Sequence, residues 1–168
     1  MQVKENEKES NQSDLDNCKV INKRFLCHLN LVIGSGTFGK VLYATSLDRK
    51  VEYAIKFEKS NVKSSVIELE HEIYLNLQDG EGIPKIIWMG EYKKYKLMVM
   101  EVLGPSLDKF FIACDKKFNL YTMSSLGEEM IKRVEYVHSK GYVHRDIKPN
   151  NFMLGKFSTN LENINDKI

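Results

Sequence analysis

The sequence predicts an α+β fold in which a sheet-rich part is followed by a helical part. From about residue 21 to residue 103, stretches rich in β-branched and aromatic residues are separated by turn signals, which is typical of antiparallel strands. Apolar residues at helical spacing occur once within this region and then dominate beyond Pro105. We therefore expect five strands with one inserted helix, and then helices.

The first two strands are expected on either side of a glycine cluster. FLCHLNLVIG and GKVLYATS are typical of the two strands of a hairpin, and VEYAIKFE (51–58) follows the turn signal LDRK as a third strand. IPKIIWMGEY and YKLMVMEVL predict two more strands, the second almost continuously apolar. The small sheet would therefore be five-stranded and antiparallel.

Helical spacing predicts three helices, near 64–78, 106–116 and 122–140. Ser65 and Glu68 form a capping-box pattern at the start of the first, and Gly141 is a typical stop for the last. The apolar face of the last helix consists of Leu126, Met130, Ile131, Val134 and Val137. We expect this face to leave an exposed apolar patch.

Composition limits the class of protein. The 168 residues are 42% hydrophobic and 29% charged, with a formal net charge of +2, as in a soluble globular protein of one ordinary domain or two very small ones. This near balance gives no reason to expect nucleic acid or a membrane as a partner, and no apolar run approaches the ~18 residues of a membrane span. Cys18, Cys27 and Cys114 are far apart and match no disulfide or zinc pattern. Free thiols are typical of a reducing compartment, so we expect a cytoplasmic and/or nuclear protein.

The first residues differ in composition from the rest. Residues 1–19 are rich in Lys, Glu, Asn, Ser and Gln and contain few residues able to build a core. The strand-forming pattern begins at about Ile21. The sequence therefore predicts a disordered leader over 1–20 and a folded domain over 21–168.

Gly34, Gly36 and Gly39 follow G-x-G-x-x-G spacing in IGSGTFGKV (33–41). Glycine lets a backbone approach phosphate oxygens closely, although glycine-rich hairpins without a ligand are also common. A dinucleotide-binding loop would be followed by a helix, and a P-loop by Gly-Lys-Ser/Thr. Because a strand follows here, the stretch is best interpreted as a hairpin able to cover phosphate groups.

Lys56 lies in an otherwise apolar, alternating strand, 17 positions after Gly39. In isolation it suits an edge-strand lysine that points to solvent. After a glycine-rich hairpin, it also suits a point charge that holds nucleotide phosphates. Such a lysine needs an acidic partner, and the following helix offers Glu68, Glu70 and Glu72. Because Glu68 is assigned to the cap, Glu70 is the best candidate by position.

The stretch HRDIKPNN combines side chains suited to group transfer. Asp146 can accept a proton from a substrate hydroxyl or orient it, and Lys148 can neutralise a transferring phosphoryl group. Asn151 can bind a divalent metal through its amide oxygen. The alternative is a polar turn that closes a helix, with Arg145 in a structural ion pair.

The sequence resembles the eukaryotic protein kinases and, within them, the casein kinase I family. The general resemblance rests on GSGTFGKV, YAIK and HRDIKPNN, which follows the H-R-D-L-x-x-x-N layout with Ile147 for Leu. The narrower one rests on GEGIPKIIWMGEY, LMVMEVLGPSLDKFF and NFMLG, and the match runs from about 25 to 155. It implies a protein-kinase-like α+β fold: a five-stranded small lobe with one helix over 21–103, a hinge at 101–105, and the first helices of a large lobe over 104–168.

The resemblance also implies ATP and Mg²⁺ as cofactors. In this reading Ile33 and Val41 would cover the adenine, with Ala54 beneath it. The implied nucleotide-binding set is Ile33, Gly34, Ser35, Gly36, Thr37, Phe38, Gly39, Val41, Ala54, Lys56, Glu70, Met100, Glu101 and Leu103.

Further roles follow from the same resemblance. Met100 would be the gatekeeper, and Glu101 and Leu103 would offer hinge backbone groups. Lys56 would pair with Glu70. A monomeric serine/threonine protein kinase is implied, which would transfer the ATP γ-phosphoryl group to protein hydroxyls.

In the catalytic loop, Asp146 would be the base, with Lys148 beside it and Asn151 as a metal ligand. Asn150 stands where the family usually has an acid, and we expect a local hydrogen-bonding effect without loss of mechanism. No Asp-Phe-Gly occurs in the 168 residues, although the family holds its magnesium with that Asp.

Because this Asp is missing, we expect a truncated large lobe and negligible phosphotransferase activity from these residues alone. A catalytically inactive nucleotide-binding or partner-binding kinase fragment is the alternative. A small-molecule kinase is disfavoured by GPSLDKFF.

Overall fold

A six-stranded antiparallel sheet occupies the first part of the chain in the computed structural model, which describes residues 18–36, 39–59 and 65–156. The sheet order is β1-β2-β3-β4-β6-β5. Its strands are β1 Cys18–Ile21, β2 Phe25–Gly36, β3 Gly39–Ser46, β4 Glu52–Lys59, β5 Ile86–Tyr92 and β6 Tyr95–Glu101. An α+β fold with a sheet-rich first part is therefore confirmed.

Strand β1 was not predicted. The expected sheet had five strands, and residues 18–20 were assigned to the leader, whereas Cys18–Ile21 pairs antiparallel with β2. Lys19 and Val20 are exposed between the buried Cys18 and Ile21. In this four-residue edge strand the two central positions are both exposed, so apolar and polar residues do not alternate with a period of two. The strand was therefore not recognised from the sequence. The rest of the predicted leader, residues 1–17, lies outside the described residues.

The core lies on one face of the curled sheet. Its buried residues are Ile21, Phe25, Cys27, Leu42, Ala44, Ile55, Leu97 and Val99. Phe25 stacks edge-to-face with Tyr53 at 5.1 Å between ring centroids, a favoured aromatic geometry. Burial raises the pKa of the Cys27 thiol to about 12, and none of Cys18, Cys27 and Cys114 forms a disulfide bond in the described structure.

Helix α1, Val66–Leu77, packs against β5 and β6, close to the predicted range of 64–78. The predicted capping box is wrong. The Ser65 hydroxyl donates to Glu58, and the same carboxylate accepts the N–H groups of Val66 and Ile67. A carboxylate is a stronger acceptor than a hydroxyl, so Glu58 of β4 replaces the local cap.

A second compact unit contains Asp79–Ile83 and the described residues from Leu103 onward. It contains helix α2, Leu107–Ala113, helix α3, Leu120–Ser139, and one 3₁₀ turn at Pro149–Asn151. The predicted ranges 106–116 and 122–140 thus shift by a few residues.

Side-chain and backbone caps fix both ends of α3. The Asn119 side chain accepts the Thr122 N–H at 2.7 Å. At the other end, Gly141 has a φ of 83° and donates to the His138 carbonyl at 2.9 Å, while Tyr142 donates to the Val137 carbonyl at 3.3 Å. This pair of bonds is a Schellman motif, which confirms Gly141 as the stop.

The apolar face of α3 is open within the described part of the chain. No residue of this helix is buried, and Ile131 is 68% exposed. A shallow apolar groove is lined by Met130, Ile131, Val134, Ile147 and Phe152, among others. The prediction of an exposed apolar patch is therefore confirmed. Among the described residues, no helix is both long enough and apolar enough to cross a membrane.

Truncation of Ile55 tests where the core lies. Ile55 is fully buried between Leu42 and Val99 on the neighbouring strands, so Ile55→Ala should lower the free energy of unfolding by about 2–5 kcal/mol in urea denaturation. Leu69→Ala, at a site that is 59% exposed on α1, should change it by about 0.5 kcal/mol or less. Equal losses in the two variants would contradict this assignment of the core face.

Candidate functional site

The candidate residues fall into two groups, one in each compact unit. The glycine hairpin, Lys56 and Glu70 belong to the sheet unit, and the catalytic-loop candidates belong to the helical unit. Each group has its own geometry and is described separately below.

The glycine-rich stretch is a β-hairpin, as predicted. Gly34 pairs with Val41 and Gly36 with Gly39 across the β2–β3 turn. Gly39 has a φ of +138°, and a Cβ there would overlap the Phe57 carbonyl oxygen. Glycine is therefore required at this position by both conformation and space. Thr37 and Phe38, also named as candidates, lie outside the described residues.

Lys56 lies on an interior strand, since β4 is flanked by β3 and β6. Its side chain is 19% exposed and forms an ion pair with Glu70 of α1. The interpretation as a solvent-facing lysine on an edge strand is therefore wrong. The strand is interior, and the Lys56 amine contacts a carboxylate of the helix. The Lys56–Glu70 pair itself is present, as expected.

Three apolar candidates share a face with Lys56. Val41 lies opposite Lys56 on β3, and Ala54 lies opposite Met100 on β6. Because alternate residues of a strand point to the same side, Ala54 and Lys56 lie on one face of β4, away from the core residue Ile55. The sheet thus brings these candidates side by side, as a flat nucleobase and its phosphates would require.

The position of Ile33 is less constrained by strand pairing than those of Val41 and Ala54. The register shifts between Val32, which pairs with Leu42, and Gly34, which pairs with Val41. Ile33 is therefore the extra residue of a β-bulge and is 42% exposed. Its position over an adenine stays a prediction from the resemblance.

The hinge candidates are only partly available to a ligand. Glu101 ends β6 and donates its N–H to the Lys85 carbonyl at 3.0 Å, while its carboxylate accepts the Lys85 N–H at 3.2 Å. A base could therefore use at most the Glu101 carbonyl group. Leu103 follows in the second unit, outside any helix or strand.

The catalytic-loop candidates contact one another directly. The Asn151 amide donates to the Asp146 backbone oxygen at 2.7 Å and to its carboxylate at 2.8 Å. Lys148 Nζ lies 2.8 Å from the same carboxylate oxygen. The Lys148 ammonium, followed by the Asn151 amide, lowers the pKa of Asp146, so this exposed carboxylate is ionised at neutral pH.

The alternative of a merely structural turn receives no support. Arg145 has a left-handed φ of 64° and forms no ion pair within residues 18–36, 39–59 and 65–156. The acid, lysine and amide instead converge on one carboxylate. This arrangement is typical of a catalytic loop rather than of an Arg-anchored turn.

Backbone hydrogen bonds attach this loop to the start of α2. Leu107 donates to the Phe152 carbonyl at 2.8 Å, and Gly104 and Leu154 donate to the Leu154 and Pro105 carbonyls at 2.9 Å each. Asn150 adds a side-chain bond to Asp108 at 2.8 Å, which is the local effect expected of this departure from the family.

The oxygen atoms of this loop suit a hard divalent cation. Both bonds of the Asn151 side chain use its NH₂ group, which leaves the amide oxygen as a ligand atom beside the Asp146 carboxylate. Magnesium prefers such oxygens. No group of three or more His, Cys, Asp or Glu in the described part of the chain could hold a metal unaided. Asp146 and Asn151 would therefore provide only part of the ligand shell of a magnesium ion, which usually also includes nucleotide phosphates and water.

Sequence reasoning missed two residues that hold the helix of the first unit. Glu58 caps α1, and Lys96 forms a 2.6 Å ion pair with Glu68. The spacing of two residues places Glu58 on the same strand face as Lys56, but it does not indicate that the Glu58 carboxylate caps α1.

The two glycines that flank the hairpin turn, Gly36 and Gly39, provide a matched test. Gly39→Ala should lower the free energy of unfolding by about 1 kcal/mol or more, because of the forbidden φ and the overlap with Phe57. Gly36→Ala should be nearly neutral, since a Cβ there meets no atom within 4 Å. Urea denaturation of both variants measures the difference, and equal stability would contradict the hairpin geometry.

The charge on Asp146 provides a pH test in magnesium-free buffer. The lowered pKa means that its hydrogen bonds stabilise the loop above the ordinary carboxyl pKa and are lost as the pH falls through the lowered one. Lys148→Met removes the largest cause, so the pKa of Asp146 should rise. Titration of the Asp146 carboxyl carbon by NMR measures this change, with Lys109→Met at an exposed site on α2 as the control. An unchanged pKa in Lys148→Met would show that the ion pair does not form in solution.

Comparison with known families agrees with both groups of residues. The protein kinase domain model matches residues 27–164, a range that includes the glycine hairpin, the Lys56–Glu70 pair and the catalytic-loop candidates. The match covers well over half of the 168 residues. The chain therefore belongs to the protein kinase domain family.

Proposed function

We propose that this protein kinase domain is of the casein kinase I type and transfers the γ-phosphoryl group of MgATP to serine or threonine hydroxyls of proteins. The observation that best supports this proposal is the preformed Lys56–Glu70 ion pair on an interior strand directly after a glycine hairpin. The convergence of Lys148 and Asn151 on Asp146 supports it independently.

In this mechanism the sheet unit holds the nucleotide. The Glu70 carboxylate fixes the Lys56 ammonium, which neutralises phosphate charge at a set position. Gly34, Gly36 and Gly39 keep the hairpin backbone free of side chains where phosphates approach. Bound MgATP would supply the transferable phosphoryl group and divalent charge.

The catalytic loop acts on the acceptor. The Asp146 carboxylate, ionised at neutral pH, accepts a hydrogen bond from the substrate hydroxyl and orients it. It receives the hydroxyl proton as the new bond between this oxygen and the γ-phosphorus forms, while the bond from the γ-phosphorus to the β,γ-bridging oxygen breaks and ADP leaves. The Lys148 ammonium, beside Asp146, neutralises negative charge on the transferring phosphoryl group. The amide oxygen of Asn151 is the proposed metal ligand of this loop.

The casein kinase I assignment and the serine/threonine preference rest on the resemblance. LGPSL together with HRDIKPNNF supports both. A monomer in the cytoplasm or nucleus is part of the proposal. The three cysteines without a disulfide bond support a reducing compartment.

A second candidate is a nucleotide-binding or partner-binding chain without catalysis. The apolar face of α3, which is open among the described residues, favours it. On either candidate, we propose that residues 1–168 alone bind nucleotide but transfer phosphate negligibly, because Asn151 provides only part of a magnesium shell.

Two substitutions separate binding from turnover. Lys56→Met should weaken MgATP binding by about 10–100-fold in calorimetry, the loss expected for a charged hydrogen bond. Asp146→Asn should leave binding unchanged and lower turnover by about 10²–10⁴-fold. Lys59→Met, at an exposed site on the same strand, is the control for loss of one positive charge.

Turnover is measured by radiolabelled phosphate transfer, both with the 168-residue polypeptide and with the longest polypeptide that its gene encodes. A wild-type chain that binds no MgATP would overturn the proposal. Equal, measurable turnover in the wild-type and Asp146→Asn forms of the longest polypeptide would refute the assigned role of Asp146. Activity of the longest polypeptide decides between the two candidates.

A further inference from the structure

The N-terminus of helix α1 is held by a buried carboxylate from strand β4. Glu58 is only 6% exposed. One of its oxygens accepts the Ser65 hydroxyl at 2.6 Å, and the other accepts the N–H groups of Val66 and Ile67 at 3.0 and 3.2 Å. These amides have no partner within the helix, so the strand provides the cap that the helix itself lacks.

The same strand face holds α1 a second time, one helical turn away. Lys56 and Glu58 are two residues apart on β4, a spacing of about 7 Å in a strand. Their contacts on the helix, Glu70 and Val66, are four residues apart, which corresponds to about 6 Å along a helix axis. The two spacings match, so both attachments can form without strain and together set the position of the helix along the strand.

A third contact lies on the more exposed side. Lys96, opposite Glu58 on β6, forms an ion pair with Glu68 at 2.6 Å. The Glu68 side chain is 55% exposed, and exposed ion pairs contribute little. Glu58 is therefore the main attachment of the first turn.

We propose that Glu58 is a positioning residue for phosphate binding: it fixes the first turn of α1 and thereby keeps Glu70 in contact with Lys56. The inference rests on the proposed function, in which the Lys56–Glu70 pair holds the nucleotide phosphates. Without Glu58, two N–H groups and the Ser65 hydroxyl lose their acceptor and the first turn frays. Glu70 lies only one turn further along, so its distance to Lys56 then varies.

The test reads the state of Lys56 without any nucleotide. A small amine-acylating reagent is applied to the folded chain, and the acylation of Lys56 relative to the exposed Lys59 is measured by mass spectrometry. Glu58→Ala should raise this ratio by about tenfold, the scale of losing a helix cap. Glu72→Ala, which removes an exposed carboxylate from the same helix, should leave the ratio unchanged.

A double-mutant cycle distinguishes positioning from a general loss of stability. If Glu58 acts through Glu70, then Glu58→Ala should add nothing in a Glu70→Ala background. Additive effects on the Lys56 ratio would overturn the proposal, as would a Glu58→Ala ratio equal to that of Glu72→Ala.

Two conservative variants keep the test decisive if Glu58→Ala does not fold. Glu58→Gln loses the charge but keeps an oxygen able to accept both amides, so Lys56 should stay protected. Glu58→Asp keeps the charge but shortens the side chain by one carbon, so Lys56 should become more reactive. If Lys56 became more reactive in Glu58→Gln and stayed protected in Glu58→Asp, the charge of Glu58 and not the length of its side chain would protect Lys56. That result would overturn the proposal.

MgATP affinity, measured by calorimetry on the same variants, links the two proposals. It should fall about tenfold in Glu58→Ala, whereas Glu58→Ala added to Glu70→Ala should cause no further fall. A wild-type chain without affinity for MgATP would refute the proposed function, while the acylation ratios would still decide the role of Glu58.

Discussion

The alternation of strand β4 is the constraint on which the first unit depends. Ile55 points into the core between Leu42 and Val99, and its neighbours point to the opposite side because successive residues of a strand alternate. On that side Lys56 and Glu58 contact α1. One eight-residue strand therefore fixes the hydrophobic core and the ion pair together, and a shift by one residue would exchange the two faces.

The catalytic-loop candidates are held in a different way. Asp146, Lys148 and Asn151 are exposed, so packing contributes little to their geometry. Their positions depend on the Asn151 bonds to Asp146 and on backbone bonds between the loop and the start of α2. A loop that must meet a protein substrate cannot be buried, and hydrogen bonds along its length are the means of ordering it.

Much of this arrangement could be predicted from the sequence, because local patterns determine it. Among the described residues, periods of two and 3.6 located five of the six strands and the three α-helices. Gly141 marked a helix end through its own conformational freedom. What could not be predicted depends on contacts between residues distant in the chain. Nothing in the short stretch Cys18–Ile21 shows that β2 will pair with it. The cap by Glu58 was likewise hidden behind a local Ser65–Glu68 pattern that satisfied the usual rule.

Two carboxylates that organise these regions have opposite surroundings. Glu58 caps helix α1, and Asp146 is the acceptor of the catalytic-loop candidates. Glu58 is buried, and its acceptor capacity is used by three donors of one helix. Asp146 is exposed and shares one oxygen between two donors, Lys148 and Asn151. A buried, fully bonded carboxylate is costly to disturb, which suits a residue that must keep a helix in place. An exposed one can exchange its partners at little cost, which suits the proposed role of Asp146 in accepting a hydrogen bond from a substrate hydroxyl.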